Sequence, residues 1–370
     1  MGALDAAFFL GGLVLLVGGA ELLVRGASRL ASQLGISPLV VGLTVVALGT
    51  SSPEIAVSVA SAASGSPELA LGNVIGSNIA NVLLILGLSA LITPLVVRSR
   101  IIRIDVPVLM ATSALVLVIS LNGVLSKVEG VVLLLLLALY VVMLFRMSGR
   151  VSPVVAAEFA RGLGTPQQAH VRNAATIVLG LFMLLKGSDL LLTAAVSVAS
   201  SMGVSELVIG LTLVAVGTSL PEIATSVLAA IRNERDIAVG NVIGSNMINL
   251  LAVLGVTALV APGGIPVPPG VLDFDLPFMV AVAVACLPIF MTGHQIGRRY
   301  GALFLGYYLA YTAYLLLKAA EHDALAPFSA VMAWFVVPLT LVTLASGLYR
   351  SRTVKRAPSD SGRASPHESH

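Results

Sequence analysis

The sequence predicts an all-α polytopic membrane protein: two inverted five-helix repeats followed by an eleventh, C-terminal helix. Three observations predict it. Apolar runs of roughly 20 residues, long enough to cross a bilayer as helices, recur along the chain. Two blocks of sequence repeat at a fixed offset of 168 residues. Lys and Arg crowd into alternate gaps between the apolar runs.

Composition sets the solvent. Apolar residues make up 57% of the 370 positions and charged residues 11%, with a mean hydropathy of +1.01. A soluble chain carries about 25% charged residues. In lipid, backbone groups need partners within their own segment, which favours helices. The short alternating segments of a transmembrane barrel are absent from the apolar runs. The single cysteine, Cys286, excludes a disulfide framework and a cysteine-based metal site, and reads as a small apolar residue. The N-terminus lacks a basic leader region and carries Asp5, so it reads as a retained first span.

The runs predict spans at about 4–24, 38–62, 71–93, 104–121, 128–146, 173–199, 206–230, 238–260, 272–292, 300–318 and 327–349. The first five form one repeat over 1–146 and the next five a second over 172–318; an extra span occupies 319–350. Residues 147–171, mixed and broken by Pro and Gly, predict a linker, and the polar stretch 351–370 a disordered tail. Eighteen of the 21 Lys and Arg fall in one set of gaps, among them Arg25, Arg98, Arg146, Arg232 and Arg298. The other set holds only Lys127 and Lys318, and Lys186 lies within a span. By the positive-inside rule the N-terminus is outside, and the linker and tail are cytoplasmic. That placement accounts for the pI near 9.2 without nucleic acid.

Residues 42–59 (GLTVVALGTSSPEIAVSV) and 210–227 (GLTLVAVGTSLPEIATSV) agree at fourteen of eighteen positions without a gap. At the same offset GNVIGSNIAN (72–81) matches GNVIGSNMIN (240–249) at eight of ten, and Glu21 aligns with Asp189. Five spans per half is an odd number, so the copies enter the membrane from opposite sides. That is the inverted-topology repeat of secondary transporters.

The repeated motifs carry the chemistry. Glu54 and Glu222 fall in the middle of spans, where a carboxylate is costly unless it lines a pathway or meets a cation. Thr50, Glu54 and Ser58 share one helical face, as do Thr218, Glu222 and Ser226, with Ser51 and Ser219 alongside. Pro53 and Pro221 each remove a helical donor and clash with the turn before, which predicts partly free carbonyls near Ala47–Thr50 and Ala215–Thr218. Asn73, Ser77 and Asn81 line another face, repeated by Asn241, Ser245 and Asn249. These polar residues also read as interhelical hydrogen-bond glue, Asn73, Asn78, Asn241 and Asn246 most evenly. Carboxylate, hydroxyl, amide and carbonyl oxygens together suit hard cations such as Ca²⁺, which takes six to eight oxygens, and Na⁺. The motifs lack the Cys and His that softer metals prefer. Two carboxylates match one Ca²⁺ in charge, and an empty doubly charged site would resist crossing between states. Glu21 and Asp189 are expected to lie near the edges of the membrane or to hold the repeats together rather than bind ions, and Lys186 to snorkel or pair with Asp189.

These blocks resemble the α-repeats of the cation/calcium exchanger superfamily, specifically its prokaryotic sodium/calcium exchanger-like branch. The resemblance covers about residues 1–318. It implies a ten-helix fold with spans 2, 3, 7 and 8 around the ions, and alternating access by sliding of spans 1 and 6. It carries coordination onto Ala47, Thr50, Ser51, Glu54, Ser77 and Asn81, and onto Ala215, Thr218, Ser219, Glu222, Ser245 and Asn249. Asn249 stands where some relatives have Asp, which argues against potassium dependence, and the linker is too short for the family's regulatory calcium-binding loop. The expected activity is exchange of Ca²⁺ for Na⁺, both transported substrates rather than cofactors. The expected setting is a prokaryotic plasma (inner) membrane, with lipid around the chain and no obligate protein partner. The first alternative is proton/calcium exchange through the same carboxylates. A cation channel fits inverted repeats and broken helices less well. A membrane enzyme would need a reactive constellation in the spans, and all five histidines (His170, His294, His322, His367 and His370) fall in loops or the tail.

Overall fold

The computed structural model describes residues 3–147, 166–203 and 215–338, with positions 209, 213, 341 and 345. Most of the expected linker, the start of the seventh span, the end of the eleventh and the whole 351–370 tail lie outside the described residues.

The first half runs α1 (Ala3–Leu34), α2 (Pro38–Thr50), α3 (Ser52–Ala63), α4 (Pro67–Ile92), α5 (Ile101–Asn122) and α6 (Lys127–Arg146). The second runs α7 (Pro166–Ser201), α8 (Ala215–Thr218), α9 (Leu220–Ile231), α10 (Arg235–Val260), α11 (Val271–Met291) and α12 (Arg298–Ala319). A shorter apolar helix, α13 (Leu325–Trp334), follows. Among the described residues eight helices are long and apolar enough to span a membrane, and nine if α2 and α3, bent by 44°, form one span.

Two helix ends differ from the expected ones. Arg25 and Arg29 suggested that the first span stops at 24, but the helix continues to Leu34, supported by an i,i+4 ion pair between Glu21 and Arg25. Helix α7 begins at Pro166, inside the stretch expected to be linker. Proline suits the first helical turn, where its missing N–H would have no partner, and the following Gln-Gln-Ala favours helix. Helix α6 starts on a capping box: the Ser126 amide donates to Glu129 Oε2 at 2.6 Å, and the Glu129 amide to Ser126 Oγ at 3.4 Å.

Helices α4 and α10 are the most buried of the long helices, and α6 and α12 the least. Leu10, Val14, Leu135, Leu139, Phe182 and Leu309 are exposed apolar side chains on outer faces, as lipid contact requires. Helices α1 and α7 pack chiefly on each other, with backbones in contact. A Cβ at Gly19 would lie 2.6 Å from the Leu184 nitrogen, and one at Gly187 2.5 Å from that of Leu16. Gly19 and Gly187 are themselves repeat mates, so one seam is built twice.

Two short ribbons bind the halves together. Strand β1 (Leu95–Val96) pairs antiparallel with β4 (Gln295–Ile296), and β2 (Val124–Leu125) with β3 (Ile265–Pro266). The β1–β4 ribbon falls in gaps rich in Arg, and β2–β3 in the opposite set. Several helices contain a π-helical turn: Asn81–Leu86 in α4, Asn249–Val253 in α10, Ile101–Asp105 opening α5 and Val271–Asp275 opening α11. Such turns are common at functional sites.

Candidate cation-binding centre

The helix breaks come first. At Ser51 (φ −79°, ψ 8°) and Ser219 (φ −89°, ψ 6°) the backbone leaves the α conformation, and a new helix starts with Pro53 or Pro221 in its first turn. A proline ring crowds the carbonyl four residues earlier, here Gly49 and Gly217. Both carbonyls are engaged: Ser52 Oγ donates to Gly49 O at 2.7 Å, and Ser188 Oγ of α7 to Gly217 O at 2.8 Å. The Ala47 carbonyl accepts from the Ser51 amide at 3.0 Å and the Thr50 hydroxyl at 3.4 Å. The freed carbonyls expected from the prolines are therefore largely taken by neighbouring donors. Ala215 opens α8; its side chain lies outside the described ones.

The breaks turn Thr50, Ser51 and Glu54, and likewise Ser219 and Glu222, into the interior, each at most 1% exposed. There the halves cross. Ser51 Oγ donates to Glu222 Oε1 at 3.0 Å, and Ser219 Oγ donates to Glu54 Oε1 at 3.3 Å. Each half's serine holds the other half's carboxylate, so the two acids occupy one centre. Thr50 Oγ1 donates to Asn241 Oδ1 at 3.1 Å, and Asn241 Nδ2 to Ser226 Oγ at 2.9 Å. The mate of that last bond runs from Asn73 Nδ2 to Ser58 Oγ at 3.1 Å. Asn73 and Asn241 thus brace the helix pairs, the glue reading rather than the ligand one. Thr218 is half-buried and also engaged.

Five buried oxygens at this centre have no hydrogen-bond partner among the described residues: Glu54 Oε2, Glu222 Oε2, Asn81 Oδ1, Asn249 Oδ1 and Ser245 Oγ. Ser77, the mate of Ser245, instead lies against the Glu54 carboxylate. A buried polar atom without a partner is costly, and a buried carboxylate more so. Carboxylate, hydroxyl and amide oxygens left in this way are ones that a dehydrated cation satisfies, although Asn249 Nδ2, a donor, is unpartnered as well. No group of three or more His, Cys, Asp or Glu forms among the described residues, so the donor set is two carboxylates and neutral oxygens. Lys186 does not reach the acids: it is exposed and pairs with Asp189 at 3.8 Å. Glu21 also lies apart, held by Arg25 and by Arg232 of the other half at 2.7 and 3.0 Å.

One participant escaped the sequence reading. Ser188 caps the Gly217 carbonyl from another helix; its repeat mate is Ala20, so no repetition marked it. Asn246 accepts from Asn81 Nδ2 at 2.9 Å, an interhelical hydrogen bond of the kind expected for it, though the motif did not name its partner.

Helices broken at Ser51 and Ser219, acid–serine pairs crossed between two repeats and a helical membrane fold are the features of a secondary transporter of the membrane. The chain belongs to the sodium/calcium exchanger protein family, whose sequence profile matches residues 4–146 and 172–317. It is 38% identical over 315 residues to the putative antiporter CaxA of Alkalimonas amylolytica, covering 84% of this chain and 98% of that one. It is 37% identical to the inner membrane protein YrbG of Escherichia coli (84% and 97% covered) and 32% identical to the sodium/calcium exchanger MaX1 of Methanosarcina acetivorans (82% and 96%). A solved structure of the sodium-calcium exchanger NCX_Mj, soaked with 2.5 mM Na⁺ and 1 mM Sr²⁺, superposes with a TM-score of 0.74 at 33% identity, covering 85% of this chain and 99% of that one. The expected all-α polytopic membrane fold and the family are thereby borne out, though not the exact count of ten spans plus one, and the chain is a membrane antiporter of that family.

Proposed function

We propose that this antiporter exchanges Ca²⁺ for Na⁺ by alternating access, with the ions held between Glu54 and Glu222. One observation carries the reading: each carboxylate takes a serine from the opposite half on one oxygen and leaves its second oxygen buried and unpartnered. A site of charge −2 is neutralised by one Ca²⁺ or by two Na⁺. Asn81, Asn249 and Ser245 extend the shell with neutral oxygens, while Thr50, Ser51, Thr218 and Ser219 position the acids or add ligands. Ala47 and Ala215 contribute carbonyls where a bound ion displaces the intrahelical donors. Left empty, two buried charges would be unsolvated, and that cost opposes the return of the unloaded carrier. Exchange rather than uniport follows.

The same reading places the N-terminus outside and the tail in the cytoplasm of a prokaryotic inner membrane, supported by the alternation of Lys and Arg. Purified protein in proteoliposomes tests it. An imposed Na⁺ gradient should drive ⁴⁵Ca²⁺ uptake at clamped pH and voltage. Uptake that follows a proton gradient alone would assign the carboxylates to proton exchange instead. Flux without any counter-ion would overturn exchange altogether.

A further inference from the structure

The two halves carry the same heptapeptide, GNVIGSN, over 72–78 and 240–246, each followed three residues on by another asparagine, Asn81 or Asn249. Their amides nonetheless behave differently. Asn81 Nδ2 donates to Asn246 Oδ1 at 2.9 Å, across the interface between halves. This bond fixes the sense of the Asn81 amide, so Oδ1 is the end left as a free, buried acceptor. The repeat-related bond would run from Asn249 Nδ2 to Asn78 Oδ1, and it is not made. Asn78 Nδ2 donates to its own helix at Val74 O, 2.7 Å, and Asn78 Oδ1 has no partner among the described residues. Neither end of the Asn249 amide has one either, although Asn249 is only 1% exposed.

Composition does not explain the difference, since the four asparagines occupy equivalent positions. Conformation does. A bound cation satisfies an amide oxygen but cannot satisfy Asn249 Nδ2, which needs an acceptor. The acceptor standing in the equivalent place, Asn78 Oδ1, needs a donor. Closing that pair would satisfy both atoms and leave Asn249 Oδ1 as the ligand, reproducing what the first half already has.

In a transporter of inverted repeats, alternating access moves one repeat or bundle against the other around a fixed site, and a contact made by one half in one access state can be made by its repeat mate in the other. We propose that Asn246 and Asn78 are alternating positioning residues. In the state seen here Asn246 holds and aims Asn81; in the opposite access state that pair opens and Asn78 holds and aims Asn249. This rests on the cation site proposed above and adds to it two residues that touch no ion.

The test uses the full chain in right-side-out and inside-out vesicles, with Ca²⁺ as the probe and the apparent KM measured on each face. Losing one buried amide bond weakens the state that contains it by roughly fivefold, and the affinity presented by that state falls in proportion to its population. Asn246→Ala should raise the KM by about fivefold on one face and leave or lower it on the other. Asn78→Ala should do the same with the faces reversed. A merely structural role would move both faces together. Shifts on the same face, equal shifts on both faces, or no shift in either variant overturn the proposal. If an alanine variant fails to reach the membrane, Asn246→Ser and Asn78→Ser, which keep an acceptor at shorter reach, must show the same reversed asymmetry in weaker form, and its absence is equally fatal. Glu54→Gln is run beside them. Exchange lost there without a split between faces overturns the asparagine pairs alone, whereas exchange surviving in Glu54→Gln overturns the cation site itself.

Discussion

Replacing Glu54 by Gln removes a charge and almost nothing else. The glutamine amide oxygen can still accept from Ser219 Oγ, which reaches Glu54 Oε1 at 3.3 Å in the native protein. The other oxygen has no donor among the described residues, so no hydrogen bond is lost there. The substitution therefore leaves the crossing of the halves intact while taking the centre from −2 to −1. A Ca²⁺ ion then carries an uncompensated positive charge in a site that is 1% exposed or less at both acids. Breaking one partner of a buried ionic group costs about 3–5 kcal/mol. At 1.4 kcal/mol per decade, that is a loss of roughly 10²–10³-fold in Ca²⁺ affinity or more. Glu222→Gln should lose a similar amount, because Ser51 serves Glu222 as Ser219 serves Glu54. Ser219→Ala sets the lower end of the scale: it deletes one hydrogen bond to a carboxylate, worth about 1.5–3 kcal/mol, so affinity should fall roughly ten- to hundredfold, short of the loss of a charge. Calorimetric Ca²⁺ binding in detergent, paired with Na⁺-driven ⁴⁵Ca²⁺ uptake, reads all three. Wild-type exchange in either glutamine variant, or a Ser219→Ala defect as deep as theirs, would refute the two-carboxylate centre.

Other consequences follow from single contacts. Gly187→Ala would put a Cβ 2.5 Å from the Leu16 backbone nitrogen, so the α1–α7 seam must open; a destabilisation of about 1–3 kcal/mol should appear as a lower Tm in detergent, whereas Gly11→Ala, with nothing within 4 Å, should match wild type. The Glu21–Arg232 pair joins α1 to the start of the α9–α10 turn with both partners part-exposed, so a double-mutant cycle should give no more than about 1 kcal/mol, shrinking further in high salt. Ser188→Ala removes the hydroxyl on the Gly217 carbonyl and should cost about 1 kcal/mol in thermal stability; Ala20→Ser, at its repeat mate, should bring no matching gain. Cys286 is fully buried within α11, so maleimide labelling of the folded protein should be negligible and become complete after denaturation.

What the sequence revealed and what it concealed divide along physical lines. Repetition and charge were legible because both are one-dimensional. Fourteen matches in eighteen positions place Glu54 and Glu222 in equivalent settings before any coordinates exist, and Pro53 and Pro221 mark helix breaks that fall two residues earlier, at Ser51 and Ser219. Charge was less reliable for helix ends, because Arg25 and Arg29 mark where lipid stops, while the hydrogen-bonded helix runs on to Leu34. The π turns were invisible, since a change of helical period shows only where polar and apolar residues alternate, and Asn81–Leu86 is apolar after its first residue. The two-residue ribbons gave no strand signal, as each exists only through its partner in the other half. Pairing at the centre was the deepest omission. A palindromic arrangement allows each serine to serve its own glutamate or the opposite one, and identical motifs cannot say which. The structure chooses the opposite one at both positions. That choice means neither half has a complete centre: Glu54 is held by Ser219 and Glu222 by Ser51, so any relative motion of the halves must disturb both carboxylates at once. In the exchange proposed above, a cation between them would keep both carboxylates neutralised through that motion, which would link occupancy of the centre to movement of the halves.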